Sequence, residues 1–344
     1  MPHNGWAISA TRIAGIDRLG ATLNPGVPAH EVAHRYILGA RRRAGQTAMI
    51  LLTNARLQNA QATPGTAVTA APRPHKKVTS MQISMAGRTA VITGGSKGLG
   101  LAMAKRFLGS GADGVALLAR SQGPLDDAKA QLVGIGTGKV AAIACDVADA
   151  ASIKAGYDAA MAQLGRIDIV VNNAGQSRTG PFESITDQVW QDDIDLKLFA
   201  AIRLVRLAWP QMKERRWGRV INVLNTGAKA PKANGAPTHV TRAAGMALTK
   251  VLAGEGAPHG ILVNAMLVGL IVSDQVARGH AALVAKGQNI TLEDHIARTG
   301  ASVPLGRMGT AEEFANLACF LASDAGSYIT GTATNVDGGA SPVV

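Results

Sequence analysis

The sequence predicts an α/β fold, a doubly wound parallel sheet covered by helices on both faces, and three observations predict it. From Arg88 onward short apolar runs alternate with amphipathic helical stretches. The runs are largely apolar along their whole length, as strands buried on both faces are, instead of alternating apolar with polar. The first run passes through a glycine-rich turn into a helix, which opens a βαβ unit.

In chain order, the first strand is Thr89–Thr93, a run with β-branched residues that stops at Gly94-Gly95, and the helix Leu99–Gly111 follows it. Val115–Arg120 is the second strand, with the helix Leu125–Leu132 behind it, and Val140–Cys145 is the third, with Asp149–Leu164. Ile167–Val171 is the fourth strand and precedes a long helical stretch, Asp187–Met212. Val220–Leu224 and Leu262–Met266 are the fifth and sixth strands, separated by the helix Val240–Gly256. The helix Ala311–Leu321 and the strand Thr332–Val336 complete the unit. A sheet of this kind takes its ligand at the C-terminal ends of the strands, where the strand order reverses.

Composition agrees with one large folded unit. Of the 344 residues, 47% are hydrophobic and 17% charged, so a sizeable core is available. Two cysteines, Cys145 and Cys319, make no disulfide framework, no Cys/His cluster has metal-ligand spacing, and a reducing compartment is expected. No apolar run approaches the ~18 residues that span a bilayer, so no membrane association is expected.

The net charge of +12 is concentrated early: residues 1–80 hold ten Lys/Arg and two Asp/Glu, against 25 and 21 in the remainder. That basic stretch lacks the aromatic interleaving of a single-strand binder and any zinc-finger spacing, so nucleic acid is not an expected partner. Residues 1–84 show no sustained helical or strand period and read as an extension or linker. A targeting sequence, a disordered segment and a translation start placed too early all fit, and Met81 and Met85 lie just ahead of the folded unit.

The chemistry begins at Thr93-Gly94-Gly95-Ser96-Lys97-Gly98-Leu99-Gly100. Glycines between a strand and a helix let backbone approach a pyrophosphate, which then rests on the helix N-terminus. The second strand ends at Ala119-Arg120, where an NAD-preferring site usually carries an acid for the ribose 2′-hydroxyl. Arg120 and Lys97 are instead suited to a 2′-phosphate, and NADP(H) is expected over NAD(H).

Further motifs follow in order: Asp146 after the third strand, Asn172-Asn173-Ala174-Gly175 after the fourth, Asn264-Ala265, Gly269, Pro304-Leu305-Gly306-Arg307 and Val336-Asp337-Gly338-Gly339. With the glycine loop they make residues 85–344 resemble the short-chain dehydrogenase/reductase family. The resemblance implies a single Rossmann-type domain with a cofactor half at 85–180 and a substrate half at 181–344. It implies that Thr93, Gly94, Ser96, Lys97, Gly98, Leu99 and Gly100 hold the pyrophosphate side, and that Asp146 and Val147 meet the adenine. Asn173, Ala174 and Gly175 would support the loop and the adenosine ribose, while Gly269, Ile271 and Ser273 would meet the nicotinamide carboxamide. It also implies a cytoplasmic homo-oligomer, tetramer or dimer, paired through the Asp187–Met212 and Val240–Gly256 helices and the Gly331–Val344 segment.

The family's catalytic positions differ here. Counting along the helix that ends in Ala247-Leu248-Thr249-Lys250, the tyrosine position is Thr238 and the lysine position Arg242. The serine position is Asn225, with Thr226 beside it, and the asparagine position is Lys197. A phenol titrates near ~10 and can be brought lower by a neighbouring ammonium; an aliphatic hydroxyl cannot serve that way. Arg242 can hold the nicotinamide ribose, and Asn225 or Thr226 can hydrogen-bond a carbonyl oxygen. Lys197 or His239 is the candidate proton source. Tyr36, Tyr157 and Tyr328 are expected outside the cleft.

The segment Leu270–Val303, with His280, Glu293, Asp294 and His295, is expected to form a substrate lid. The function expected is an NADP(H)-dependent oxidoreductase that interconverts a small carbonyl compound and its alcohol, with an atypical proton-transfer site. The alternative is a non-catalytic dinucleotide-binding homologue that serves as scaffold or redox sensor.

Overall fold

The computed structural model describes residues 83–344, so almost all of the expected extension lies outside the described residues. Seven strands form one parallel sheet: β1 Thr89–Thr93, β2 Gly114–Ala119, β3 Lys139–Ala144, β4 Ile169–Asn172, β6 Gly218–Asn225, β8 Ile261–Val268 and β9 Ala333–Val336. Their spatial order is β3-β2-β1-β4-β6-β8-β9. The chain winds outward from β1 to β3, then crosses back to place β4 on the other side of β1. The strand order therefore reverses between β1 and β4, and the ends of those strands flank the crevice. Two short strands, β5 Thr179–Gly180 and β7 Ala236–Pro237, pair separately and antiparallel.

Alternation along each strand divides the core between the two faces. Ala90 and Ile92 of β1 join Val115 and Leu117 of β2 on one side, where they pack on α1 (Gly98–Gly109), α2 (Gln122–Leu132) and α9 (Ala311–Ala322). Val91 points the other way and joins Ala116, Leu118, Val170 and Val220 against α3 (Ala150–Leu164), α5 (Ala200–Arg215) and α6 (Thr238–Gly256). Ile92, Leu117, Phe107 and Phe314 are wholly buried. Each such side chain contributes roughly 1.5–3 kcal/mol of transfer free energy.

The seven expected strands are all present, with ends shifted by at most two residues. The expected helix Asp187–Met212 is interrupted: α4 (Asp187–Ile194) passes through a π-helical turn, Asp195–Phe199, into α5. The lid segment holds two helices, α7 (Asp274–Ala285) and α8 (Leu292–Gly300). No helix among the described residues is long and apolar enough to cross a membrane. Both cysteines are buried and unbridged.

At the opposite end of the sheet from the crevice, a buried carboxylate ties β4 to β1. Asp168 is fully enclosed and accepts from Thr89 N (3.0 Å) and from Arg166 Nε (3.0 Å) and Nη2 (2.6 Å). Hydrogen bonds to charged groups are worth about 1.5–3 kcal/mol, so Asp168→Ala should lower the urea unfolding free energy by at least about 2 kcal/mol. Asp158→Ala, which removes an exposed i,i+4 pair with Lys154, should change it by less than about 0.5 kcal/mol.

Candidate active site

Every element that meets at the crevice arrives by the C-terminal end of a strand. After β1, the chain turns through Gly94 (φ +63°) and Gly98 (φ +54°) into α1. Gly100 lies so close to the Gly94 carbonyl that any Cβ would collide with it. The turn is braced from β4: Asn173 Nδ2 donates to Thr93 O (2.9 Å) and Gly94 O (3.1 Å). Thr93 Oγ1 in turn accepts from the backbone N–H groups of Asn173 (2.9 Å) and Ala174 (3.0 Å). Helix α1 has no side-chain cap and no acid in its first turn, which leaves its N-terminal dipole open to an anion. This backbone cradle fits a pyrophosphate.

The remaining expected cofactor positions line the same edge. Lys97 and Arg120 are exposed at the ends of the paired strands β1 and β2, and Ser96 and Leu99 are partly buried in the turn. Asp146 is exposed and holds Ala148 N (3.0 Å), while Val147 beside it is buried. Gly269 follows β8 and packs against Asp337 without room for a Cβ. Ile271 is buried and bridges to Gly309, and Ser273 stands before α7.

The second cluster joins the π-helical turn to the start of α6. Lys197 is buried on that turn; its Nζ donates to Asp193 Oδ1, one helical turn earlier, and to Thr238 Oγ1 at 2.8 Å. Thr238 is equally buried, and its hydroxyl also accepts from Arg178 N (3.0 Å) and donates to Arg178 O (2.8 Å). A hydroxyl has one donor and two acceptor sites, so this one is fully committed to holding its neighbours. Arg178 is itself paired with Asp192 (2.9 Å).

Burial pushes the Lys197 ammonium down to about 8, with the Asp193 hydrogen bond opposing that fall and Arg242 adding to it. Arg242 donates from Nη1 to Val223 O (2.6 Å), and its Nη2 rests on Gly175 where a Cβ would stand. The guanidinium is set deep among protein atoms, which lowers it to about 10, although part of the side chain still meets solvent. At the end of β6, the buried Asn225 Oδ1 takes no hydrogen bond from the protein and can accept one from a ligand.

His239 takes a different place from its neighbour Thr238. Its ring sits between Gly227 and Gly235, at positions any Cβ would occupy, and its Nδ1 accepts from Lys232 N (3.3 Å). Burial and the charges of Lys232 and Lys197 lower its pKa. Neither the two glycines nor the Lys232 N–H brings the ring onto the Lys197–Thr238 pair. In the lid, His280 Nε2 is bound to Ile290 O (2.8 Å) and faces His295 at 6.1 Å between ring centroids. Tyr157 is buried against Gln211 and Tyr328 is fully exposed, while Tyr36 lies outside the described residues.

Two participants escaped the sequence reading, Asp193 and Arg178. The signal for Asp193 was present as an Asp–Lys pair at i,i+4 on one helix. Arg178 enters through its backbone, which no side-chain pattern reveals.

The close approach of Gly175 to Arg242 gives a direct check. Gly175→Ala should dislodge the guanidinium from Val223 O and lower the melting temperature by several degrees. Gly254→Ala, on an exposed turn of α6 with nothing within 4 Å of the new methyl, should raise stability by up to about 1 kcal/mol.

Comparison with known proteins agrees with this geometry. Residues 88–282 match the family model for short chain dehydrogenase. The 3-oxoacyl-(acyl-carrier-protein) reductase FabG of Salmonella typhimurium is 34% identical over 75% of this chain and 98% of its own. Among solved structures, L-sorbose reductase from Gluconobacter frateurii, complexed with NADPH and L-sorbose, superposes with a TM-score of 0.73 at 32% identity, covering 77% of this chain and all of its own. An NADPH-bound short chain oxidoreductase from Pseudomonas aeruginosa, described as containing an atypical catalytic center, gives a TM-score of 0.69 at 35% identity over 76% of this chain and 99% of its own.

Proposed function

Because the chain belongs to the short chain dehydrogenase family, we propose that it is an NADP(H)-dependent oxidoreductase that interconverts a small carbonyl compound and its alcohol, with Lys197 in charge of the proton. The observation that carries this reading is the buried Lys197 ammonium, 2.8 Å from the Thr238 hydroxyl at the position where the family resemblance calls for tyrosine. The NADPH found in the L-sorbose reductase and in the Pseudomonas oxidoreductase supports the cofactor assignment, and the latter's atypical center supports a departure from the usual residues.

The bound nicotinamide supplies or accepts the hydride. The protein's share is to hold that group, to orient the substrate and to move one proton. Gly94, Gly98 and Gly100 with the α1 N-terminus would hold the pyrophosphate, and Lys97 and Arg120 would take the 2′-phosphate. Arg242, fixed by its bond to Val223 O, would hold the nicotinamide ribose.

In carbonyl reduction the substrate oxygen gains a proton as the carbon gains hydride. Lys197 has three N–H donors, and Asp193 and Thr238 take two of them. The third donates to the substrate oxygen, leaving a neutral amine that solvent recharges. In alcohol oxidation the neutral amine receives the hydroxyl proton. Asn225 offers its amide to the same oxygen. Thr238 and Asp193 act as positioning residues that fix the ammonium. The exposed apolar side chains Phe199, Val240 and Val251 along the π turn and α6 fit the expected homo-oligomer.

Two outcomes test the assignment. With burial lowering Lys197 to about 8, kcat for reduction should fall as pH rises through that value, and kcat for oxidation should rise over the same interval. In the Lys197→Met/Asp193→Asn double variant, which leaves no orphan carboxylate, that limb should vanish and turnover should drop on the order of 10²-fold or more. Retention of the limb at about 8 would overturn the role of Lys197. For the cofactor, calorimetry should show NADPH bound about tenfold or more tighter than NADH, because charge-assisted contacts contribute about 1.5–3 kcal/mol each. Arg120→Asp should shift the preference toward NADH.

A further inference from the structure

Between the residues that follow β6, the first turn of α6 and the C-terminal segment, a cavity of about 150 Å³ is lined by Thr226, Gly227, Lys232, His239, Ala340 and Ser341, among others. Two of its walls continue the candidate site: Thr226 follows Asn225 at the end of β6, and His239 follows Thr238 at the start of α6. The third wall is the C-terminal segment. It is folded over by Asp337, which accepts from Gly339 N (3.1 Å) and Ser341 N (2.8 Å), and by Asn335 Nδ2, which donates to Val343 O (2.7 Å).

The lining is one-sided in its chemistry. It holds no carboxylate and one ammonium, Lys232. The His239 tautomer is set by its surroundings: Nδ1 accepts from Lys232 N, so the proton is on Nε2 and that atom can donate. The nearby cations Lys232 and Lys197 disfavour a second proton, which keeps the ring a neutral donor. The Thr226 hydroxyl adds a further donor. Around the cavity, Lys197 is balanced by Asp193 and Arg178 by Asp192. Among the described residues, neither Lys232 nor Arg242 forms an ion pair with a carboxylate. The Asp337 carboxylate on the C-terminal wall is taken up by the N–H groups of Gly339 and Ser341, so Lys232 is the charged side chain of the lining, and it faces a volume of the size that encloses a benzene ring, about six heavy atoms.

We propose that this cavity holds the carboxylate of the substrate, so that the protein acts on short oxo acids and the corresponding hydroxy acids. Lys232 supplies the charge and His239 Nε2 and Thr226 supply hydrogen bonds, while the reacting carbonyl lies toward Lys197. The inference rests on the oxidoreductase reading above and narrows its substrate to one chemical class. It also gives His239 a role in binding and leaves the proton to Lys197.

The test uses the full chain loaded with NADP⁺ and two probes, 4-oxopentanoate and its methyl ester, followed by calorimetry. A second pair, 2-oxobutanoate and its methyl ester, covers a shorter spacing. Charge-assisted hydrogen bonds predict that the acid of at least one pair binds on the order of tenfold tighter than its ester. Lys232→Ala should cut that acid-to-ester ratio at least about threefold, and Lys232→Arg should preserve it. Equal binding of acid and ester, a ratio unmoved by Lys232→Ala, or no binding of either acid at about 10 mM would overturn the proposal. NADPH oxidation measured alongside separates the two readings. Acids that bind through Lys232 while no carbonyl compound is turned over would uphold the subsite and refute the oxidoreductase. Turnover of esters and acids alike, with an unchanged ratio, would do the reverse.

Discussion

A parallel sheet covered on both faces leaves its strands no polar direction in which to point, and that confines the chemistry to the strand ends. Ala90, Val91 and Ile92 of β1 are wholly buried although they point to alternate sides. Because the strands run the same way, Thr93, Asn172, Asn225 and Val268 all finish at one edge. Residues far apart in the chain then share one crevice without any long loop to carry them there. The switch in strand order between β1 and β4 opens that edge, and the Asn173 side chain spans the switch to hold the glycine turn. Bracing of this kind fixes the backbone before a ligand arrives, so less ordering has to be done on binding.

The Lys197 end of the crevice carries a different cost. Burying an ammonium and a carboxylate is expensive, and their attraction offsets it only when the remaining polar atoms are also satisfied. The Lys197–Asp193 pair meets that condition in part: Thr238 accepts from the lysine, whereas Asp193 Oδ2 is left without a partner. The unpaired oxygen and the π-helical turn beneath Lys197 are both departures from a relaxed helix. Such departures cluster where function requires them. A well-packed apolar pair would be cheaper at these two positions, which is the physical reason to regard the pair as retained for chemistry.

Much of this was legible in the sequence because it is governed by local pattern. The apolar runs located every strand of the main sheet, and glycines in a strand–turn–helix context located the cradle. The break at Asp195–Phe199 was invisible, since one inserted residue in a π turn leaves apolar residues on both sides at plausible helical spacing. Helices α7 and α8 were read only as a lid segment. The strands β5 and β7 are two residues each, too short for any periodicity. His239 was legible as a titratable group but not as to its place. That place is set by Gly227 and Gly235, twelve and four residues before it, and only the fold shows that the ring fills the space both leave empty.

In the proposed assignment, the exchange of a phenol for Thr238 and Lys197 has an electrostatic consequence beyond proton transfer. A phenol at its working pH is neutral or anionic, whereas an ammonium near pH 7 is cationic until it has given its proton. Asp193 cancels that charge locally, and Arg178 is cancelled by Asp192, but Arg242 and Lys232 are not cancelled. Burial lowers both the Lys197 and the Arg242 values by putting a cost on their positive charge. An anionic substrate relieves it. Its charge also favours the protonated lysine, so the act of binding would charge the donor that the reduction then uses. In that reading, binding and proton supply are two effects of the one substrate charge, which joins the cavity beside His239 to the ammonium beside Thr238.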